Sequence, residues 1–205
     1  LQEEVDRFLP AVHFNHCVLN PENPFALDPL TPGPLMMKYR KSHLDAMEAA
    51  LDVIEEVDKE FGDQFGRYYG GAISEYRTED ADVVILTIGG MTGTGMDAVD
   101  MAREQGIKAG LVKIRFTRPF PAKRIAKALA GKKAFAVIDR SVSFGWSTGP
   151  MYMETRAALA DADDKFAHFS VIGGLGGADI SLDMMLGTIK KLDEVKNEPG
   201  QKETQ

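Results

Sequence analysis

Val83-Val-Ile-Leu-Thr-Ile-Gly-Gly-Met-Thr-Gly-Thr-Gly95 is the stretch whose reading decides the fold. Val83–Ile88 runs without a charge and is rich in β-branched residues, the composition of a strand buried on both faces. Glycines then break the run. Thr94 is placed to cap a helix expected from Met96 to Gln105, closed by Gly106. The same phrase recurs downstream. Ala109–Arg115, Ala134–Ile138 and Ala167–Ile172 read as further strands. Helices are expected from Pro121 to Gly131 with Ile125 and Leu129 inward, from Pro150 to about Leu159, and near Ser181–Leu192. Strands alternating with short helices imply an α/β fold with a parallel sheet and right-handed crossovers.

Upstream the texture differs. Residues 1–9 read as the tail of a helix. Residues 10–34 carry six of the ten prolines and read as an extended apolar connector. A helix is expected over 42–61, with Ser42 as cap, Leu44, Met47, Leu51, Ile54 and Phe61 on one face, and Gly62 as its stop. Ile73–Arg77 reads as a short edge strand. The expected organisation is 1–78 as the end of a preceding domain with connector and linker helix, 79–193 as the α/β domain, and 194–205 as a charged tail that frays. The chain opens on Leu1 and shows no leader, which reads as a fragment or a processed chain.

A net charge of −7 without a basic run gives no electrostatic footprint for nucleic acid or an anionic membrane. No apolar run is long enough to span a bilayer. One cysteine, Cys17, suits a reducing cytoplasm, and a single thiol cannot hold an iron–sulfur cluster that needs four. His13, His16 and Cys17 cluster in the connector. A closed zinc site needs a fourth ligand, and His43 and His168 are isolated, so no metal site is assigned.

All four conspicuous motifs follow strands and fall on the carboxyl edge of the sheet, where such folds bind ligands. Gly93-Thr-Gly-Met-Asp-Ala98 matches a dinucleotide fingerprint. It is displaced from the strand end, and no ribose-binding acid follows at the right distance. Arg115 and Arg118 would suit a 2′-phosphate, so an NADP-binding Rossmann domain is one reading. The same arginines could clamp a carboxylate or phosphate, or make an intersubunit or interloop salt bridge. Asp139-Arg140 reads as a local ion pair closing a strand. Gly173–Gly177 lacks the Lys and Ser/Thr of a P-loop, and Ser143 and Ser147 have no triad context. Gly93, Thr94, Arg115, Arg118, Asp139 and Arg140 are the candidates for a ligand-binding or subunit-contacting edge; no catalytic residue is assigned.

Together these segments resemble a known family. Phe65-Gly-Arg-Tyr-Tyr-Gly70, Glu75–Ala81, Gly93-Thr94 with Val99-Asp100, Gly110–Arg115, Arg118-Pro-Phe-Pro121, Asp139-Arg140 with Ser143-Phe-Gly145, and Gly174–Gly177 stand in the order and spacing of the C-terminal half of the alpha subunit of pyruvate:ferredoxin oxidoreductases and related 2-oxoacid oxidoreductases. The resemblance runs from about residue 1 to 193. It departs at Gly89-Gly90, where the family shows Gly-Ser, at Ser141, where Asn is common, and in the connector, which points to a branched or aromatic 2-oxoacid as substrate. The resemblance implies a transketolase C-terminal-like domain of a structural, subunit-packing kind. It implies an enzyme that uses thiamine diphosphate, Mg2+ and [4Fe-4S] clusters held mainly outside this segment. Coenzyme A would be co-substrate, and the partners would be beta, gamma and delta type subunits and ferredoxin. A non-catalytic interaction module is the remaining alternative.

Overall fold

The computed structural model describes residues 1–12, 20–24, 30–162 and 165–205. His13, His16 and Cys17 lie outside the described residues. The chain divides into two compact units, Leu1–Tyr68 and Tyr69–Gln205.

The first unit holds α1 (Gln2–Phe8) and α2 (Gly33–Phe65). Phe8 packs edge-on against Phe61 and Phe65, each with ring centres 5.6 Å away, and the Gln64 amide donates to the Glu4 carbonyl at 2.7 Å. The helix expected over 42–61 is longer at both ends. Pro34 sits in its first turn, where a missing N–H costs nothing, and Leu35–Lys41 are good helix formers. Gly62 does not stop it. A Cβ there would lie 2.1 Å from the Tyr68 ring, so this glycine answers a close approach, and the helix ends at Gly66 in the left-handed region.

The second unit is a six-stranded sheet, β1 (Ile73–Tyr76), β2 (Val83–Ile88), β3 (Ala109–Ile114), β4 (Ala134–Asp139), β5 (Ala167–Ile172) and β6 (Gly200–Gln201), in the order β1-β3-β2-β4-β5-β6. All pairs are parallel except β1 with β3, in the register Ile73 to Ile114. Between the strands run α3 (Thr92–Glu104), α4 (Ala122–Leu129), α5 (Pro150–Ala158) and α6 (Leu182–Val195).

Strand β2 shows why its sequence is apolar throughout. Successive side chains leave opposite faces of a strand. Val83 and Ile85 enter the core formed with Ala98, Val99 and Ala102 of α3 and with Met185 and Ile189 of α6. Val84 and Leu86 enter the other core, with Ile125 and Leu129 of α4 and Tyr152 of α5. Both faces are covered, and each large aliphatic side chain so buried contributes about 1.5–3 kcal/mol. The order of strands reverses at β2: the chain passes to β3 on one side, then returns to β4 on the other. In open α/β sheets that reversal marks the crevice used by ligands.

The tail does not fray. Gly200 and Lys202 donate to the carbonyls of Phe166 and His168, and Gln205 to that of Ser170, so residues 200–205 extend the sheet along β5. Their charged side chains need not be buried on an edge strand, and the backbone of β5 supplies the partners.

Gly110 gives the first test. A Cβ there would stand 2.9 Å from the Arg77 carbonyl oxygen and 3.0 Å from the Thr78 Cα, both backbone atoms that cannot rotate away. Gly110→Ala is expected to cost about 1–3 kcal/mol, read as a lower urea midpoint at unchanged slope.

Candidate functional site

The exit of β2 is tighter than its sequence suggests. Gly89–Met91 form one 3-10 turn, and α3 begins at Thr92, not beyond Thr94. The Thr92 hydroxyl donates to the Gly89 carbonyl at 2.9 Å and lies 3.1 Å from the Thr87 hydroxyl, which locks the turn from within. Gly93 and Thr94 are therefore inside the helix, Gly93 exposed and Thr94 half-buried. This removes the geometry of a dinucleotide fingerprint, whose glycines must form the turn itself. Gly95 serves packing instead: a Cβ would lie 2.6 Å from Leu111 Cδ1 on β3.

The arginines after β3 go to different partners. Arg115 donates to the Gly71 carbonyl at 2.6 Å, with its guanidinium over the rings of Tyr69 and Phe116. Arg118 sets both terminal nitrogens against both carboxylate oxygens of Glu154, each at 2.7 Å. That fork-to-fork pair ties the β3–α4 loop to α5. The Arg118 side chain is largely exposed, so the pair adds orientation more than stability.

Asp139 and Arg140 do not pair with each other. Asp139 is 2% exposed, and its two carboxylate oxygens accept the backbone N–H groups of Met151 and Tyr152 at 3.0 and 3.1 Å. It thus caps α5 from outside the helix, at the positive end of its dipole. Burial pushes the Asp139 carboxyl above its ordinary range, and the two N–H groups pull it back. Gly149 permits this approach: a Cβ would be 2.1 Å from Asp139 Oδ2. The Gly149 N–H itself donates to the Ser170 hydroxyl at 3.0 Å. Arg140 turns the other way and donates to the carbonyls of Gly174 and Ala178 at 3.2 Å, holding the glycine-rich loop after β5.

Between Asp139 and Gly149 the chain folds back on itself, with Ser143 N–H donating to the Thr148 carbonyl at 2.8 Å. Phe144 and Trp146 at its tip are 91% and 69% exposed. No nucleophile at this edge is hydrogen-bonded to a base among the described residues. Its chemistry is that of a rigid scaffold with two aromatic side chains presented to solvent.

A second cluster lies elsewhere. His168, isolated in sequence, sits on β5 with Nδ1 2.8 Å from the Tyr152 hydroxyl and 3.4 Å from an Arg156 nitrogen, its ring stacked on Phe135. Burial, then the charges of Arg156 and Lys202, lower its pKa from 6.5 to about 4, so it is neutral at pH 7. The helical spacing of Tyr152 and Arg156 on α5 is the one signal that could have brought them together. Among the described residues no group of three or more His, Cys, Asp or Glu could hold a metal ion, and no helix is long and apolar enough to cross a membrane.

Residues 81–185 match the family "Pyruvate:ferredoxin oxidoreductase core domain II". The alpha subunit of an NADH-dependent phenylglyoxylate dehydrogenase from Aromatoleum evansii is 42% identical over 96% of this chain and 49% of its own length. Pyruvate synthase subunit PorA from Methanosarcina barkeri is 34% identical over 95% of this chain and 48% of its own. This chain therefore spans about half the length of these curated relatives. Among solved structures, a split-gene transketolase in an inactive β4 tetramer aligns over 63% of this chain and 44% of its own, with 17% identity and a TM-score of 0.49.

Two outcomes follow from the buried groups. Asp139→Ala strips two N–H groups of α5 of their acceptors and is expected to cost about 2–4 kcal/mol in urea denaturation. His168 takes its proton in the unfolded chain near pH 6.5 and in the folded chain only near pH 4, so stability falls as pH drops through that window. The loss is roughly 3 kcal/mol. Asp139 acts in the opposite sense, because its raised carboxyl is protonated first in the folded chain. Comparing wild type with His168→Gln at pH 7 and pH 4.5 isolates the histidine: the variant should lose less stability on acidification.

Proposed function

This chain belongs to the pyruvate:ferredoxin oxidoreductase core domain II family, and from that premise we propose that it forms the second domain and lead-in of the alpha subunit of a thiamine-diphosphate-dependent 2-oxoacid oxidoreductase. The observation that carries the reading is the family match over residues 81–185, with similarity to the relatives extending along 95–96% of the chain. The complex would convert a 2-oxoacid and coenzyme A into an acyl-CoA, CO2, a proton and two electrons, the electrons leaving to ferredoxin.

One cysteine cannot supply the four thiolates of a [4Fe-4S] cluster, and among the described residues no group of three or more His, Cys, Asp or Glu stands together to hold a metal ion. Thiamine diphosphate, its metal and the clusters are assigned to other parts of a cytoplasmic complex with beta, gamma and delta type subunits. The part of this chain is placement. The Asp139 cap, the Arg140 brace and the Arg118–Glu154 pair fix the loops of one sheet edge, with Gly93 and Thr94 beside them, and that edge packs against the rest of the complex. An aromatic 2-oxoacid is the favoured substrate, supported by the 42% identity to the relative named for phenylglyoxylate. The same relative is named as NADH-dependent, which favours a nicotinamide acceptor as the second reading.

The test uses the purified complex that contains this chain. Phenylglyoxylate, pyruvate and a branched 2-oxoacid are each supplied with coenzyme A, and reduction of ferredoxin and of NAD+ is followed. Acceptor reduction that requires thiamine diphosphate is expected. A complex that neither binds thiamine diphosphate nor reduces an acceptor with any of the three sinks the proposal. Arg118→Ala is expected to lower the yield of assembled complex and leave the KM for the 2-oxoacid within about twofold; a raised KM at full assembly assigns Arg118 to a ligand instead.

A further inference from the structure

The cluster around His168 opens onto two adjoining pockets, of about 340 and 280 Å3, that share Arg156 as a wall. The first has an apolar lining of Phe135, Leu159 and Phe166, with the two phenyl rings edge to face at 5.4 Å, and Lys165 among its lining residues. The second is lined by Trp146, Thr148 and Gln201, among others. Phe135 and His168 are each the second residue of a parallel strand, so the first pocket sits near the amino ends of β4 and β5, opposite the loops of the carboxyl edge.

Three observations point to a ligand. Arg156 lies 3.4 Å from His168 Nδ1 and from Gln201 Oε1 and interacts with the Tyr152 hydroxyl, and no carboxylate pairs with it among the described residues. Lys165 is a second cation on the lining of the same pocket, whereas Lys202 is paired with Glu198 at 3.2 Å. The buried hydroxyl of Thr148, in the second pocket, has no hydrogen-bond partner although the residue is only 6% exposed. A guanidinium without a carboxylate partner selects a carboxylate or phosphate, and the apolar wall of Phe166 and Leu159 selects an apolar body.

We propose that this cleft binds a small aromatic carboxylate, its ring against Phe166 and Leu159 and its carboxylate on Arg156, as an effector site separate from the chemistry of the complex. The proposal does not depend on which 2-oxoacid the complex uses. Equilibrium dialysis of the purified complex with radiolabelled benzoate tests it. One saturable site per copy of this chain is expected, weakened roughly ten- to hundred-fold in Arg156→Ala, the loss of a hydrogen bond to a charged group. Lys165→Ala, on the exposed rim, should weaken the same site without disturbing assembly, and Phe166→Leu should weaken benzoate more than acetate. Inorganic phosphate should displace benzoate poorly. Benzoate binding unchanged in both Arg156→Ala and Lys165→Ala overturns the proposal, and so does displacement by phosphate as effective as by unlabelled benzoate.

Discussion

A strand with no water on either face can satisfy its backbone only through the strands beside it, and β2 is such a strand. Its N–H and C=O groups pair with β3 on one side and β4 on the other, in parallel registers that start at Val83 with Ala109 and with Ala134. Parallel neighbours cannot be joined by tight turns, so the chain must cross over, and α3 to α6 do this while covering the two faces. Small residues at Ala98, Ala102, Ala134 and Ala136 let helix and sheet approach on the α3–α6 side, and larger side chains such as Phe135 fill the other. The position of every loop at the carboxyl edge is inherited from this one burial requirement.

The loops themselves are not left to the sheet. Each is fastened by a side chain that reaches a backbone group or an oppositely charged partner on another element: Thr92 to Gly89, Arg115 to Gly71, Arg118 to Glu154, Asp139 to Met151 and Tyr152, Arg140 to Gly174 and Ala178. Most of these residues are the ones that stand out in the sequence as ligand candidates. Their polar groups are spent on internal bonds, which makes the edge stiff and suits it to hold a neighbour in fixed register. The exposed rings of Phe144 and Trp146 are the apolar surface this stiffness presents.

The strands were legible because β-branched runs bounded by glycine admit few other readings. Val83–Ile88 and Ala167–Ile172 stand where the pattern puts them. Helix ends were harder. Thr94 looked like a cap because it precedes an apolar stretch, yet Thr92 starts the helix, since its hydroxyl can close the 3-10 turn back onto Gly89. Gly62 looked like a stop because glycine often is one, and only the nearby Tyr68 ring reveals its use. The partner of Arg118 is Glu154, thirty-six positions away, and His168 meets Tyr152 only because β4 carries β5 at its side and α5 on its face; the spacing on α5 relates Tyr152 to Arg156 but does not reach His168. The pairing of the tail with β5 was hidden for a further reason: backbone hydrogen bonds at an edge carry no side-chain signature.

The meeting of Gly149 with Asp139 also constrains how this sequence can change. With a carboxylate oxygen where the Cβ would stand, position 149 is restricted to hydrogen for as long as position 139 carries an acid. Losing the acid first would relieve the crowding but strip α5 of its cap; enlarging the glycine first would expel the acid. Neither single step is neutral, so the two positions can move only together, and descendants of this chain are expected to keep the pair or exchange it as a unit.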